Sequence, residues 1–251
     1  MGLKNYLKSK ALRWALPMPF ECVHHAYSTI SYFEGNPTDR LLDISIRAAD
    51  EARKIDLKWL SDRMKEDQRT PGIWPGQHYR LLAALLRVVK PVRIVEVGTF
   101  TGASALAMKA HMLAGAQLVT VDIVPWHQFE RTALKESDFQ DGSLRQAIGD
   151  LAEENFFRDF SGTLEECDFL FVDGPKNVVF EERFLRQLAG LKLAKNPLVV
   201  LDDIRLWNML KIWDEISRPK LDLTSFGHYT GTGIIDWNGH VPKRPETAIK
   251  H

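Results

Sequence analysis

The chain has 251 residues, enough for one sizeable domain built around a buried sheet. Hydrophobic residues make up 45% and charged residues 26%, a globular balance that excludes a disordered chain. With 33 Lys plus Arg against 33 Asp plus Glu, no overall field draws in nucleic acid or an anionic membrane.

Residues 1–76 carry no motif and read as an N-terminal helical segment, either a lid over the site or the contact of a homodimer. Lys4, Lys8, Lys10 and Arg13 make the start basic, but no long apolar core follows as a signal peptide requires. Tyr6 stands where a myristoylation site wants Ser or Thr. No apolar run approaches the ~20 residues of a membrane span, so the chain is expected to be cytoplasmic. Leu3, Leu7, Trp14 and Leu16 suit the apolar side of a short helix packed on the domain or on a second subunit. Cys22 and Cys167 are too few for a disulfide framework and read as buried thiols. Residues 41–66 place Leu42, Ile46, Ala49, Ile55, Leu57 and Leu60 near helical spacing, as one long helix or two short ones. The run Gly72-Ile73-Trp74-Pro75-Gly76 breaks it, and residues 77–89 form a second helical run.

From there short β-branched runs alternate with helical stretches. Arg93–Val97, Leu118–Asp122, Asp168–Asp173 and Leu198–Asp202 are the strand candidates, with Arg145–Ile148 a weaker one. Near-continuous apolar runs of this kind suit a parallel sheet buried on both faces. Helices are expected over residues 102–114, 128–136, about 152–159, 178–193 and 206–216. Past Pro219, Leu221–Phe226 and Thr232–Asp236 suit an antiparallel hairpin at the sheet edge, and residues 241–251 a polar tail. The implied fold is α/β, a doubly wound sheet over residues 77–240. Ligands of such sheets sit beyond the carboxyl ends of the strands, where Asp122, Asp173 and Asp202 each end a strand and Glu96 lies one residue from another end.

The first strand runs into Glu96-Val97-Gly98-Thr99-Phe100-Thr101-Gly102-Ala103-Ser104. This Gly-x-x-x-Gly turn is neither the Gly-x-Gly-x-x-Gly of a dinucleotide site nor a P-loop. Glu96 beside the loop disfavours a phosphate-bearing guest and favours a cationic one, such as S-adenosylmethionine with its sulfonium and ammonium. Asp122, 24 residues beyond Gly98, is placed to accept ribose hydroxyls.

The run from Ile94 to Leu106 resembles the first motif of class I S-adenosylmethionine-dependent methyltransferases, in particular the catechol and caffeoyl-CoA type of O-methyltransferase. The resemblance implies a Rossmann-like sheet of seven strands with the last one reversed. It places Glu96, Gly98, Thr99, Gly102 and Ser104 around the methionine portion and Asp122 on the ribose. Gly149-Asp150-Leu151 matches the loop beside adenine, which puts Asp150 and Leu151 among the cofactor-binding residues; Trp126 would cover the base or pack in the core.

Asp173-Gly174-Pro175-Lys176 follows the fourth strand and Asp202-Asp203 ends the fifth. If the two strands are neighbours, their carboxylates can share one hard cation such as magnesium; without one they repel. Asp202 and Asp203 reach the same ion only if the strand ends there and the chain turns. These segments resemble the metal sites of the same O-methyltransferases, which implies Asp173, Asp202 and Asp203 as metal ligands and Lys176 as general base. Asp203 in place of the usual Asn looks more like the macrocin-type sugar O-methyltransferases, and Gly174-Pro175 replaces the common Ala-Asp.

His78 and His228 read as structural or as facing an acceptor pocket, and Trp74, Trp207 and Trp237 as packing or as an apolar acceptor wall. The expected activity is transfer of a methyl group from S-adenosylmethionine to a hydroxyl of a small-molecule acceptor, assisted by a divalent metal. The alternatives are a metal-independent methyltransferase and a non-catalytic S-adenosylmethionine-binding protein.

Overall fold

In the computed structural model of the chain, residues 37–64, 71 and 76–240 are described. The strands are β1 (Arg93–Val97), β2 (Gln117–Asp122), β3 (Leu144–Ile148), β4 (Phe169–Val172), β5 (Leu198–Asp202), β6 (Lys220–Asp222) and β7 (Thr232–Asp236). They form one seven-stranded sheet in the order β3-β2-β1-β4-β5-β7-β6. The first five run parallel, and β7 lies antiparallel between β5 and β6. The reversed strand and the terminal hairpin therefore stand as expected, with β6 cut to three residues at the sheet edge.

The helices are α1 (Asp39–Ala52), α2 (Lys58–Arg63), α3 (Tyr79–Val89), α4 (Ala103–Lys109), α5 (Glu154–Glu165), α6 (Val179–Ala189) and α7 (Leu210–Glu215). The pleat sends alternate residues to opposite faces, and each face has its own apolar layer. Ile94, Leu118, Phe169, Phe171 and Val200 pack against α1–α4, through Leu41, Leu60, Leu81, Leu85 and Met108. Val95, Val97, Leu170, Val172 and Val199 pack against α5–α7, through Phe157, Leu164, Phe184, Leu188 and Trp213. Burying each such large side chain contributes about 1.5–3 kcal/mol, which explains why strands apolar on both faces were legible as runs rather than as alternations.

Residues 41–66 resolve into two helices within the described part, α1 and α2, parted at residues 53–57. The Thr38 hydroxyl accepts the Leu41 N–H at 3.3 Å and donates to Asp236 Oδ2 at 3.0 Å, while Arg40 Nη1 meets Asp236 Oδ1 at 2.6 Å. These bonds tie the start of α1 to the end of β7. No described helix is long and apolar enough to cross a membrane. The readings made on residues 1–36, on Trp74 and on 241–251 lie outside the described residues.

One expected helix is absent. Residues 128–136 hold only parts of two short 3₁₀ turns, Trp126–Gln128 and Glu136–Asp138. The backbone between them is used elsewhere: Ala133 N–H donates to the Thr101 carbonyl at 2.8 Å, and buried Leu134 fills the space over Gly102. A tertiary bond to the glycine turn replaces the helical ladder.

Candidate active site

A cleft of about 590 Å³ opens at the carboxyl ends of β1, β2, β4 and β5. Gly98, Phe100, Asp122, Asp150 and Leu151 line one end, and Asp173, Lys176 and Asp203 the other. Gly98 adopts φ +101°, and a Cβ there would lie 2.1 Å from the Asp173 carbonyl oxygen. The turn between β1 and α4 therefore passes directly over the tip of β4, which only glycine permits. Gly102, at φ +76°, opens α4.

Asp122 organises this turn. Its Oδ2 accepts the N–H of Thr99 at 2.9 Å and of Phe100 at 3.0 Å, and its Oδ1 accepts Val124 N–H at 3.1 Å. The carboxylate lines the cleft while also fixing the glycine turn. Asp150 Oδ1 accepts Ala152 N–H at 2.8 Å and shapes the opposite wall.

Glu96, Thr99, Gly102 and Ser104 do not line the cleft; they lie beneath its floor. Glu96 is fully buried, with Oε1 accepting a hydrogen bond from Ser104 Oγ and no hydrogen-bond partner for Oε2. Burial pushes its pKa up from 4.5 to about 8, against the opposing pull of the Ser104 hydroxyl; Asp173 and Asp122 add to the rise. Thr99 Oγ1 shares a 2.8 Å hydrogen bond with Thr120 Oγ1 and accepts one from Gln146 at 3.0 Å. β1 points Glu96 toward α4, and the pleat leaves Val97 at the cleft. Trp126 also leaves the cleft, stacking on Phe139 at 5.4 Å.

At the other end, β4 and β5 are neighbours. Asp202 ends β5 and Asp203 takes a left-handed φ of +60°, so the chain turns where the shared site requires it. Carboxylate oxygens of Asp173, Asp202 and Asp203 lie within 4.8 Å of one another. Asp202 is buried beside the cleft rather than on its wall. Its pKa is raised by burial and by Asp173, with His228 acting in the opposite direction.

Lys176 Nζ stands 2.5 Å from Asp173 Oδ1 and 3.2 Å from Asp203 Oδ2. Burial opposes its charge, but Asp173, Asp203 and Asp202 outweigh that and hold its pKa well above the usual lysine value. In this arrangement Lys176 is the counter-cation of the acids, and a base only once those pairs are broken.

Two features of the site had no local sequence signal. Buried Glu181, on α6, accepts the N–H of Lys176 at 2.9 Å and of Val178 at 2.8 Å, pinning the lysine loop. His228 Nε2 meets Asp202 Oδ1 at 2.6 Å across the sheet. Five of the six described non-glycine residues with positive φ cluster here: His78, Phe100, Lys176, Val178 and Asp203. Such conformations cost about 1–3 kcal/mol each and gather where a site is held in a set geometry.

Residues 95–204, from β1 to just past β5, match the family model described as a methyltransferase domain. The match takes in the glycine turn, both acidic strand tips and Lys176. No curated protein sequence matches the chain. Among solved structures, the O-methyltransferase TomG from Streptomyces achromogenes, involved in tomaymycin synthesis and crystallised with SAM, is 18% identical with a TM-score of 0.51 over 72% of this chain and 89% of that one. A methyltransferase from Geobacter sulfurreducens is 18% identical with a TM-score of 0.52 over 79% of this chain and 96% of that one. At such identities the likeness concerns the fold, the Rossmann-like sheet that this chain shares.

Proposed function

We propose that the cleft binds S-adenosylmethionine and that the chain passes its methyl group to a hydroxyl of a small-molecule acceptor, assisted by a divalent cation. One observation carries this reading: a single cleft runs from Gly98, Asp122 and Leu151 to the acidic corner of Asp173, Lys176 and Asp203. A cofactor seated at the first end points its reactive group toward the second.

The residues fit the ligand. Gly98 and the amides fixed by Asp122 let a nucleoside come close to the backbone, and Asp122 and Asp150 offer acceptors for its hydroxyls and amine. Among the described residues, the walls bring no Lys or Arg to the glycine-turn end, as suits a guest without phosphate. The corner fits a hard cation by its donors, three carboxylates within 4.8 Å of one another. A divalent ion there, magnesium by this chemistry, would lower the pKa of an acceptor hydroxyl. In the transfer, an acceptor oxygen forms a bond to the methyl carbon as the carbon–sulfur bond breaks, and S-adenosylhomocysteine and the acceptor's proton leave. Lys176 takes that proton only in a state where Asp173 and Asp203 engage another cation, because pairing holds it protonated. Cytoplasmic location and a homodimer belong to the same reading.

One observation favours a second version. Lys176 pairs with both Asp173 and Asp203 and offsets part of their charge, as a metal-independent methyltransferase would require. Transfer of labelled methyl to an acceptor panel, with magnesium and then with chelator, tests both. Magnesium-dependent transfer supports the first, chelator-insensitive turnover selects the second, and cofactor binding without transfer to any acceptor leaves a non-catalytic binder.

A further inference from the structure

Beside the acidic corner, and not on the cleft wall, lies a second group of side chains with donors suited to a metal. His78, Asp202 and His228 each offer one donor atom within 4.8 Å of the others, and all three are at least nine-tenths buried. They come from three separate places: the residue before α3, the end of β5 and the turn between β6 and β7.

The fold goes to some length to bring the two imidazoles together. Gln77 and His78 donate their N–H groups to the Gly227 carbonyl at 2.7 and 2.8 Å. The two segments approach so closely that a Cβ on Gly76 would stand 1.9 Å from that same oxygen. His78 itself holds φ +39°, a conformation that L residues avoid. The outcome is a pair of buried rings edge to face, with centroids 4.3 Å apart. His228 is oriented at both nitrogens, by Asp202 Oδ1 at 2.6 Å and by the Thr230 hydroxyl at 2.5 Å. A second partner that fixes the ring of a ligating histidine is a regular feature of metal sites.

We propose that His78, His228 and Asp202 form a site for a borderline divalent transition metal of the zinc class, distinct in its donors from the all-carboxylate corner. Imidazole nitrogen suits zinc, cobalt or nickel, whereas magnesium prefers oxygen alone. The size is compatible: three donors no more than 4.8 Å apart leave a point within ~2.8 Å of each, and small side-chain rotations reach the ~2.0–2.2 Å of zinc bonds. Metal bound there clips the start of α3, the end of β5 and the β6–β7 turn together. It also draws on Asp202, the one residue common to both groups.

Cobalt(II), whose visible spectrum reports ligand geometry, tests the proposal on the full chain, independently of cofactor binding or methyl transfer. The expected result is an intense four- or five-coordinate band that survives Asp173→Asn combined with Asp203→Asn. His228→Asn and His78→Asn should each remove the band and weaken cobalt affinity at least ~10-fold, with circular dichroism confirming that the variants fold. Cobalt should also raise the melting temperature of the Asp173→Asn, Asp203→Asn variant, and not of that variant when His78→Asn is added. Absence of cobalt binding overturns the proposal. So does a weak six-coordinate spectrum lost in the Asp173 and Asp203 variant but kept in both histidine variants; that result would leave the carboxylate corner, and the proposed methyl transfer, standing.

Discussion

Glu96→Gln separates the charge of the buried carboxyl from its shape. Gln keeps an oxygen for the Ser104 hydroxyl and stays neutral at every pH, while Glu96 ionises with a pKa raised from 4.5 to about 8. A carboxyl raised on folding keeps its proton in the folded state after the unfolded chain has lost it. Its contribution is therefore complete below 4.5 and is lost as pH rises through about 8. At ~1.36 kcal/mol per pH unit, the gap between 4.5 and about 8 amounts to about 5 kcal/mol over the whole window. Of this, about 2 kcal/mol falls between pH 6 and pH 8, where the unfolded group is ionised and the folded one is still giving up its proton. Urea denaturation of wild type and variant at pH 6, 7 and 8, at fixed ionic strength, measures the difference directly. The wild type should lose about 2 kcal/mol relative to Glu96→Gln across that range. A difference that stays constant within ~0.5 kcal/mol would refute a buried, neutral Glu96 beneath the glycine turn.

Gly98→Ala places a methyl 2.1 Å from the Asp173 carbonyl oxygen at φ +101°, and should lower stability by at least ~1–3 kcal/mol and abolish cofactor binding, measured by thermal denaturation and calorimetry. Glu181→Gln leaves one of the amides of Lys176 and Val178 facing an NH2 group that cannot accept, and should reduce kcat several-fold while costing about 1–3 kcal/mol of stability; unchanged turnover would mean that the lysine loop needs no anchor. Lys176→Met removes the cation that competes for Asp173 and Asp203, so manganese should bind more tightly by calorimetry even as transfer slows. Weaker manganese binding would contradict the role of Lys176 as counter-cation.

The elements that could be read in the sequence are those set by local pattern. Arg93–Val97 and Leu198–Asp202 are near-continuous apolar runs ending in turns, and both strands have those bounds. The acidic tips Asp122, Asp173 and Asp202 were legible because strand ends in a parallel sheet converge on one edge. What stayed hidden depends on distant partners. Residues 128–136 have helical composition, yet the Thr101 carbonyl takes the Ala133 N–H. Glu96 reads as a cleft acid until the pleat turns it toward Ser104. The His228–Asp202 contact joins residues 26 apart, and the His78–His228 contact depends on the Gly76–Gly227 approach, which no local spacing announces. Lys176 matched a motif, but its three acidic neighbours decide its charge.

The most direct test of the account is calorimetry of the full chain with S-adenosylmethionine, S-adenosylhomocysteine and NAD as separate ligands. Both adenosyl compounds should bind at one site per chain, Asp122→Ala and Gly98→Val should each remove that binding, and NAD should give no heat. Binding of NAD in place of the adenosyl compounds, or adenosyl binding untouched by both substitutions, would contradict a cleft built for a phosphate-free nucleoside.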